Sequence, residues 1–181
     1  AGTGGAALSQ LFAVQLDELS GQANMTFLQA FNFDAHIALN PANNLIYVVD
    51  FHAPSFTTYD PATGTLGATV AINGPAQFPV AAFGPDGNLY LGNMANNKLY
   101  TVDLTTGDLT FVVDVPFISG GDLTFNAFGD PILVSRDAGG AAYKLDLVGG
   151  AHVMVESGIS ALVNGLATDQ FGNLLASNKG E

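Results

Sequence analysis

An aspartate recurs every 43 residues along this chain of 181 residues. Each of these aspartates is followed four residues later by a glycine. The pairs are Asp17 and Gly21, Asp60 and Gly64, Asp103 and Gly107, and Asp146 and Gly150. A fixed period of about 40 residues built from short strands is typical of repeat architectures, and of β-propellers in particular. The period therefore predicts an all-β propeller.

Each full repeat contains four segments with the composition of β-strands. In the first full repeat, residues 45–49 of the segment 45–50 are β-branched, aromatic or aliphatic, while residues 40–44 and 61–64 are rich in Asn, Pro and Gly. The first composition favours strands and the second favours turns. The same order recurs twice, which predicts blades of four antiparallel strands. Their expected bounds are residues 32–73, 74–116 and 117–159.

Each end of the chain carries half a repeat. Residues 10–28 hold only the third and fourth strands, and residues 165–177 hold only the first and second. Pairing the two ends removes exposed sheet edges, so we predict a composite fourth blade from residues 10–31 and 160–177 within a single domain, residues 1–181. The same strand pairings also fit an eight-bladed ring of two chains or a strand-exchanged polymer.

Several segments resemble known propeller repeats. NPANNLIYVVD (residues 40–50) and YDPATG (residues 59–64) resemble YVTN-type repeats, and FGPDGNLYLGN (residues 83–93) is similar to both YVTN and NHL repeats. GGDLTF (residues 120–125) resembles repeats of large bacterial surface proteins. The resemblance implies a propeller of the bacterial or archaeal surface type. Such relatives usually have six to eight blades, which again leaves open a ring of two chains.

The charge of the chain restricts its partners. There are 16 acidic residues against 4 basic ones, giving a net charge of −12, so we expect neither nucleic acid nor an anionic membrane as a partner. No apolar stretch is long enough for a transmembrane helix. Only 11% of residues are charged and cysteine is absent, a composition common in exported proteins. We therefore expect an extracellular or cell-surface location.

Polar residues that begin the innermost strands are the candidate site. Propellers usually bind ligands at the mouth of the central channel, beside those strands. Alignment of the repeats brings His36 and Asp122 to equivalent positions, with Asn164 one residue earlier in its own repeat. Val80 and Gly165 occupy the other equivalent positions. We predict a ligand-binding channel mouth at His36, Asp122 and Asn164.

No catalytic residue, metal or cofactor is predicted. Lactonase-like propellers of the gluconolactonase and regucalcin type hold a divalent metal through Glu, Asn and Asp, but here no glutamate begins an innermost strand. Metalloprotease, phosphate-loop and nucleophile-elbow motifs are absent from the sequence. The periodic aspartates are interpreted as caps of hairpin turns. Asn24 begins an Asn-Met-Thr sequon and is a candidate glycosylation site.

The first functional hypothesis is therefore a non-enzymatic extracellular structural or interaction module that self-assembles into a surface filament or fibre. The alternative is a monomeric propeller that binds a small ligand or glycan at the channel mouth. A lactonase-like hydrolase is the third and least favoured hypothesis. Expected partners are further copies of the chain, a glycan or a surface protein. Phenylalanines are expected to pack between blades: Phe27, Phe31, Phe33, Phe56, Phe83, Phe111 and Phe125.

Overall fold

A computed structural model describes residues 9–17, 20–116, 118, 120–135, 140–157, 163–168 and 173–178. Strands account for the regular structure in these ranges, and no helix long and apolar enough to cross a membrane occurs among them. The strands are β1 (Ser9–Asp17), β2 (Gln22–Phe31), β3 (Ala35–Leu39), β4 (Ile46–Asp50), β5 (Ser55–Asp60), β6 (Thr65–Leu66), β7 (Val70–Ala71), β8 (Val80–Phe83), β9 (Leu89–Asn93), β10 (Lys98–Val102), β11 (Leu109–Asp114), β12 (Gly121–Phe125), β13 (Pro131–Ser135), β14 (Ala141–Leu145), β15 (His152–Ser157), β16 (Val163–Thr168) and β17 (Leu174–Asn178).

Three antiparallel sheets form the body of the molecule. The second sheet has the order β8-β9-β10-β11 and the third the order β12-β13-β14-β15. In the first sheet, β3-β4-β5, the fourth position is divided between β6 and β7, which both pair with β5. The single fourth strand expected there is interrupted around Gly67, whose backbone carbonyl accepts a hydrogen bond of 3.0 Å from the Thr57 hydroxyl.

The periodic aspartates form the hairpin turns that the sequence predicts. The Asp60 backbone carbonyl accepts a 2.8 Å hydrogen bond from the amide of Gly64, and its Oδ1 accepts a 2.8 Å hydrogen bond from the amide of Ala62. Gly64 has a φ of 71°, which a residue with a β-carbon rarely adopts. The backbone carbonyls of Asp103 and Asp146 likewise accept hydrogen bonds from the amides of Gly107 and Gly150. Their Oδ1 atoms accept from the amides of Thr105 and Val148. The interpretation of these aspartates as turn caps is confirmed.

The core lies between neighbouring sheets. The second strands are buried on both faces, and every residue of β9 and β13 is buried. Tyr47 of the first sheet meets the Phe83 ring of the second at 5.0 Å, and Tyr90 of the second meets the Phe125 ring of the third at 5.2 Å. These repeated contacts stack the sheets face to face. The first strands also lie side by side, in the order β3, β8, β12 and β16.

In the three full sheets, the pairs between the first and second strands are regular, whereas the outermost pairs of the second and third sheets are not. Register shifts occur between Leu99 and Tyr100 where β10 pairs with β11, and between Ala142 and Tyr143 where β14 pairs with β15. The pairing of β1 with β2 is shifted in the same way. No such shift interrupts β3–β4, β8–β9 or β12–β13 in the described part of the chain. The irregular outer pairs therefore have a local bend.

The two ends form separate two-stranded sheets, β1–β2 and β16–β17, which we call the N-terminal and C-terminal half-blades. Leu11 and Phe31 anchor the first against Val48 of the first sheet. Leu166 anchors the second against Val134 of the third sheet. The predicted composite blade is thus not formed by pairing within the described residues, because packing holds the half-blades at opposite ends of the row of sheets.

Candidate functional site

The three predicted site residues lie on innermost strands but do not form one cluster. His36 is in β3, Asp122 is in β12 and Asn164 is in β16. Since β8 lies between β3 and β12, a whole sheet separates His36 from Asp122. The backbone of Asn164 sits at a register shift of β16, and its side chain lies outside the described residues. Within the ranges described, no hydrogen bond joins His36 to Asp122.

Asp122 connects the third sheet to the C-terminal half-blade. Its Oδ1 accepts a 2.8 Å hydrogen bond from the Leu123 amide, and its Oδ2 accepts one of 2.8 Å from the Leu166 amide. Burial raises the pKa of this carboxyl to about 6, although the two backbone donors act in the opposite direction. The Thr168 hydroxyl adds a 3.0 Å hydrogen bond to the Phe125 carbonyl between the same strands. The Oδ2 atom of Asp122 and the Thr168 hydroxyl therefore hold β16 against β12, while Oδ1 bonds within β12.

His36 belongs to an aromatic and acidic cluster, which we call the His36 cluster. Its ring lies 6.0 Å from the Phe51 ring, which lies 4.9 Å from the ring of His52. The Nε2 atom of His52 is 3.0 Å from Oδ2 of Asp34. Burial lowers the pKa of His36, and the negative charge of Asp34 opposes that shift. The His36 ring is therefore neutral at neutral pH and has both a donor and an acceptor nitrogen.

Sequence reasoning missed Asp34, Phe51 and His52 as members of this cluster. The signal was present in the pairing of β3 with β4, whose register sets Ala35 opposite Asp50. The residues flanking that pair must then be neighbours, and the Phe51 amide donates a 2.9 Å hydrogen bond to the Asp34 carbonyl. A group of three or more His, Cys, Asp or Glu residues arranged to bind a metal does not occur among the residues that the structure describes.

The N-terminal half-blade has one covered face and one apolar exposed face. Leu11 and Phe31 are buried against the first sheet. On the other face, Val14 is paired with Met25 and Phe12 with Phe27. Val14, Met25 and Phe27 are 56%, 63% and 53% exposed. Phe27 was expected to pack between blades, as was Phe111, and both are instead half exposed.

An apolar groove lies at the opposite end of the molecule, between the third sheet and the C-terminal half-blade. Its volume is about 420 Å³. It is lined by Val134, Ala142, Val155, Glu156, Leu166, Leu174 and Ala176. The chain thus carries an exposed apolar strand face at one end and an apolar groove at the other.

The predicted glycosylation residue Asn24 lies in β2, opposite Gln15, and is exposed. That position leaves its side chain accessible from solvent. Whether the sequon is modified stays a prediction.

Comparison with solved structures decides the fold. No protein-family model and no curated protein sequence matches this chain. A structure of streptogramin B lyase matches with a TM-score of 0.61 and 14% identity, over 93% of this chain and 62% of that one. The fold is a β-propeller. A virginiamycin B lyase from Staphylococcus aureus matches with a TM-score of 0.58 and 15% identity, over 87% of this chain and 53% of that one.

A protein of unknown function from Bacteroides thetaiotaomicron matches this propeller with a TM-score of 0.63 and 15% identity, over 81% of this chain and 44% of that one. The propeller described here thus spans about half the length of the solved chains that it resembles. At such identities the likeness concerns the fold, and it does not transfer the activities of the lyases.

Proposed function

We propose that this chain is a non-enzymatic structural or interaction module that associates with further copies of itself through its half-blades. One observation carries the proposal. In the described residues, β1 pairs only with β2 and β17 pairs only with β16, so each half-blade has an edge strand without a partner strand. An edge of this kind is a template for the addition of a strand from another chain.

The two half-blades supply different strand positions of a blade. Asp17 is the last residue of β1, as Asp60 is of β5, and Asp103 directly follows β10. Since β5 and β10 are the third strands of their blades, β1 and β2 hold the third and fourth positions of a blade. The strands β16 and β17 follow the pattern of β12 and β13, which hold the first and second positions. The C-terminal half-blade of one copy and the N-terminal half-blade of another therefore supply one complete blade.

Composition and sequence resemblance support an extracellular or cell-surface location for this module. The chain has no cysteine, few charged residues and a net charge of −12. Its repeats resemble YVTN and NHL repeats of surface proteins. A surface protein or a glycan is the further partner class that this location suggests.

A light-scattering measurement over a range of concentrations tests self-association. We expect the mass to rise above the 18.6 kDa of one chain as concentration increases. Because each copy carries a net charge of −12, added salt should strengthen association by screening repulsion between copies. A mass that stays at 18.6 kDa from micromolar to millimolar concentration, at low and at high salt, would contradict the proposal.

Ligand binding is the second candidate function, and the His36 cluster favours it. Aromatic rings beside a carboxylate suit a small polar ligand or a glycan, which stacks on rings and hydrogen-bonds to oxygen. His52 is 65% exposed and available from solvent, whereas Asp122 is engaged by backbone donors. Glycan-array and calorimetric titrations should give binding that His52→Ala abolishes. Equal binding by that variant would exclude this site.

A further inference from the structure

We infer that association closes after two copies, giving a two-fold ring of eight blades in which the N-terminal half-blade of each copy occupies the groove of the other. The inference rests on the proposed self-association and names its contact surface. It puts Val14 of one copy opposite Ala176 of the other.

The register follows from the complete blades. In the second sheet, Tyr100 is three residues before Asp103 and is opposite Leu91 of β9. Val14 is three residues before Asp17 and so occupies the position of Tyr100. On the other side, β16–β17 pairs Leu166 with Ala176, just as β8–β9 pairs Ala81 with Leu91. Ala176 therefore occupies the position of Leu91, and the blade register sets it opposite Val14.

This register turns the exposed face of the half-blade into the groove. Ala176 lines the groove, and directly opposite residues of paired strands point to the same face. Val14 then points toward the third sheet of the other copy, together with Phe12, Met25 and Phe27 on the same face of its own half-blade. The covered face, with Leu11, still packs on the first sheet of its own copy.

An equivalent joint already exists inside the chain. Tyr100 and Leu91 pack into the core between the first and second sheets, beside the cross-strand pair of Val49 and Phe56. In the third sheet the corresponding cross-strand pair is Val134 with Ala142, which lies in the groove. The groove thus corresponds to the face of the first sheet against which Tyr100 and Leu91 of the second sheet pack. Its side chains are smaller, which leaves the space of about 420 Å³ for the half-blade.

Closure at two copies follows from the length and curvature of the chain. The sheets are arranged around adjacent innermost strands, so that each added sheet continues the same arc. One chain spans 44% to 62% of the length of the propeller chains that it resembles, and two copies supply about one such length. Once one joint has formed, the second forms within the same pair at a high effective concentration. A two-fold pair then leaves neither half-blade unpaired.

The absence of cysteine permits a direct cross-linking test. The double variant Val14→Cys/Ala176→Cys carries one thiol on each side of the inferred joint, at the short Cα separation that a disulfide needs. Under mild oxidation we expect a covalent dimer with no higher species. A matched control, Thr65→Cys/Thr110→Cys, has both thiols on exposed positions outside the joint and should give no covalent dimer.

Each other result of this experiment has a distinct meaning. A ladder of covalent oligomers would overturn the two-copy ring and leave self-association standing. Association detected by light scattering without any cross-link would overturn the inferred contact surface alone. A disulfide within one chain, with a monomeric mass, would overturn both the ring and the proposed self-association.

Single variants separate contact between copies from contact within a copy. An equal mixture of the Val14→Cys chain and the Ala176→Cys chain should give a covalent heterodimer, whereas each variant alone should not.

A second experiment introduces a charged side chain at the inferred contact. Val14→Asp should weaken association at least about tenfold, because it places an unpaired carboxylate in an apolar groove. Val148→Asp makes the same substitution on an exposed turn and should leave association unchanged. Equal association of both variants would overturn the inference.

Discussion

The Oδ2 atom of Asp122 accepts a 2.8 Å hydrogen bond from the backbone amide of Leu166. A carboxylate of the third sheet thereby holds the first strand of the C-terminal half-blade. The same contact positions the groove, because Leu166 is one of its lining residues. The protonation of Asp122 is therefore coupled to the stability of the end of the molecule on which the inferred joint depends.

Because of Asp122, the free energy of unfolding should fall as pH rises from about 4 to about 6. Its folded pKa of about 6 is above the value of 3.8 of an unfolded chain, so the folded state binds more protons in that window. The stabilisation that protonated Asp122 contributes is fully present below the pKa of the unfolded chain, and it is lost as pH rises through the pKa of the folded state. A shift of this size corresponds to about 3 kcal/mol. Denaturant unfolding at pH 4 and pH 7 should show this change between the wild type and Asp122→Asn.

Asp114→Asn is the matched control for this measurement, since it removes one carboxylate from an exposed position. This variant loses one negative charge but keeps the contact between Asp122 and Leu166. A difference between Asp122→Asn and the wild type that is the same at pH 4 and pH 7 would show that the Asp122 carboxyl does not titrate in the window.

Gly107→Ala should destabilise the propeller far more than Gly87→Ala. Both glycines have a positive φ, of 76° and 80°, so alanine costs about 1 kcal/mol in backbone strain at either position. At Gly107 a β-carbon would also clash with the Ala71 carbonyl oxygen, whereas at Gly87 it meets no atom within 4 Å. We expect an additional loss of about 3 kcal/mol or more for Gly107→Ala. Equal unfolding free energies of the two variants would contradict this close approach of the first two sheets.

Leu91→Ala should reduce the unfolding free energy by about 2–5 kcal/mol, because Leu91 is fully buried between the first and second sheets. Leu39→Ala is the matched control: Leu39 is 56% exposed at the end of β3, and its loss should stay below about 1 kcal/mol. Chemical denaturation measures both changes. Similar losses would mean that the core does not lie between the sheets.

Asp103→Ala should lower the thermal midpoint more than Asp103→Asn at neutral pH, since asparagine keeps one acceptor for the amides of Thr105 and Thr106. Those amides lower the pKa of Asp103, the largest effect coming from Thr106. Because the pKa of Asp103 is lowered on folding, its carboxylate stabilises the fold above the pKa of the unfolded chain. This stabilisation is lost as pH falls through the pKa of the folded state. Thermal melts should therefore show the difference from the wild type shrinking below about pH 4. A difference that persists in acid would exclude a role for the ionised carboxylate.

Local features of this fold could be predicted from sequence because turn chemistry is local. The spacing of Asp60 and Gly64 specifies a turn, since the aspartate supplies an acceptor and the glycine supplies a positive φ. Repetition of that turn every 43 residues predicts the propeller. The innermost strands that carry His36 and Asp122 followed from the same alignment.

Long-range relations could not be predicted in this way. Sequence patterns give the half-blades, but which edge meets which partner depends on packing at distant residues such as Leu11 and Leu166. The repeat pattern likewise does not show that Phe27 is exposed, because burial depends on what lies against that face. Asp122 was predicted as a ligand-binding residue, and its hydrogen bond to Leu166 spans 44 residues, beyond the reach of a local pattern.

The bent outer strand pairs bear on how this chain behaves in concentrated solution. Amyloid-like growth needs flat strands that stack in register, and the register shifts beside β11 and β15 remove that flatness. The third sheet exposes Val153, Met154 and Val155 in succession on its outer strand, a composition that would otherwise promote fibril growth. The bend therefore protects against fibril growth, and the outer edges of the half-blades remain the places where another strand is able to add.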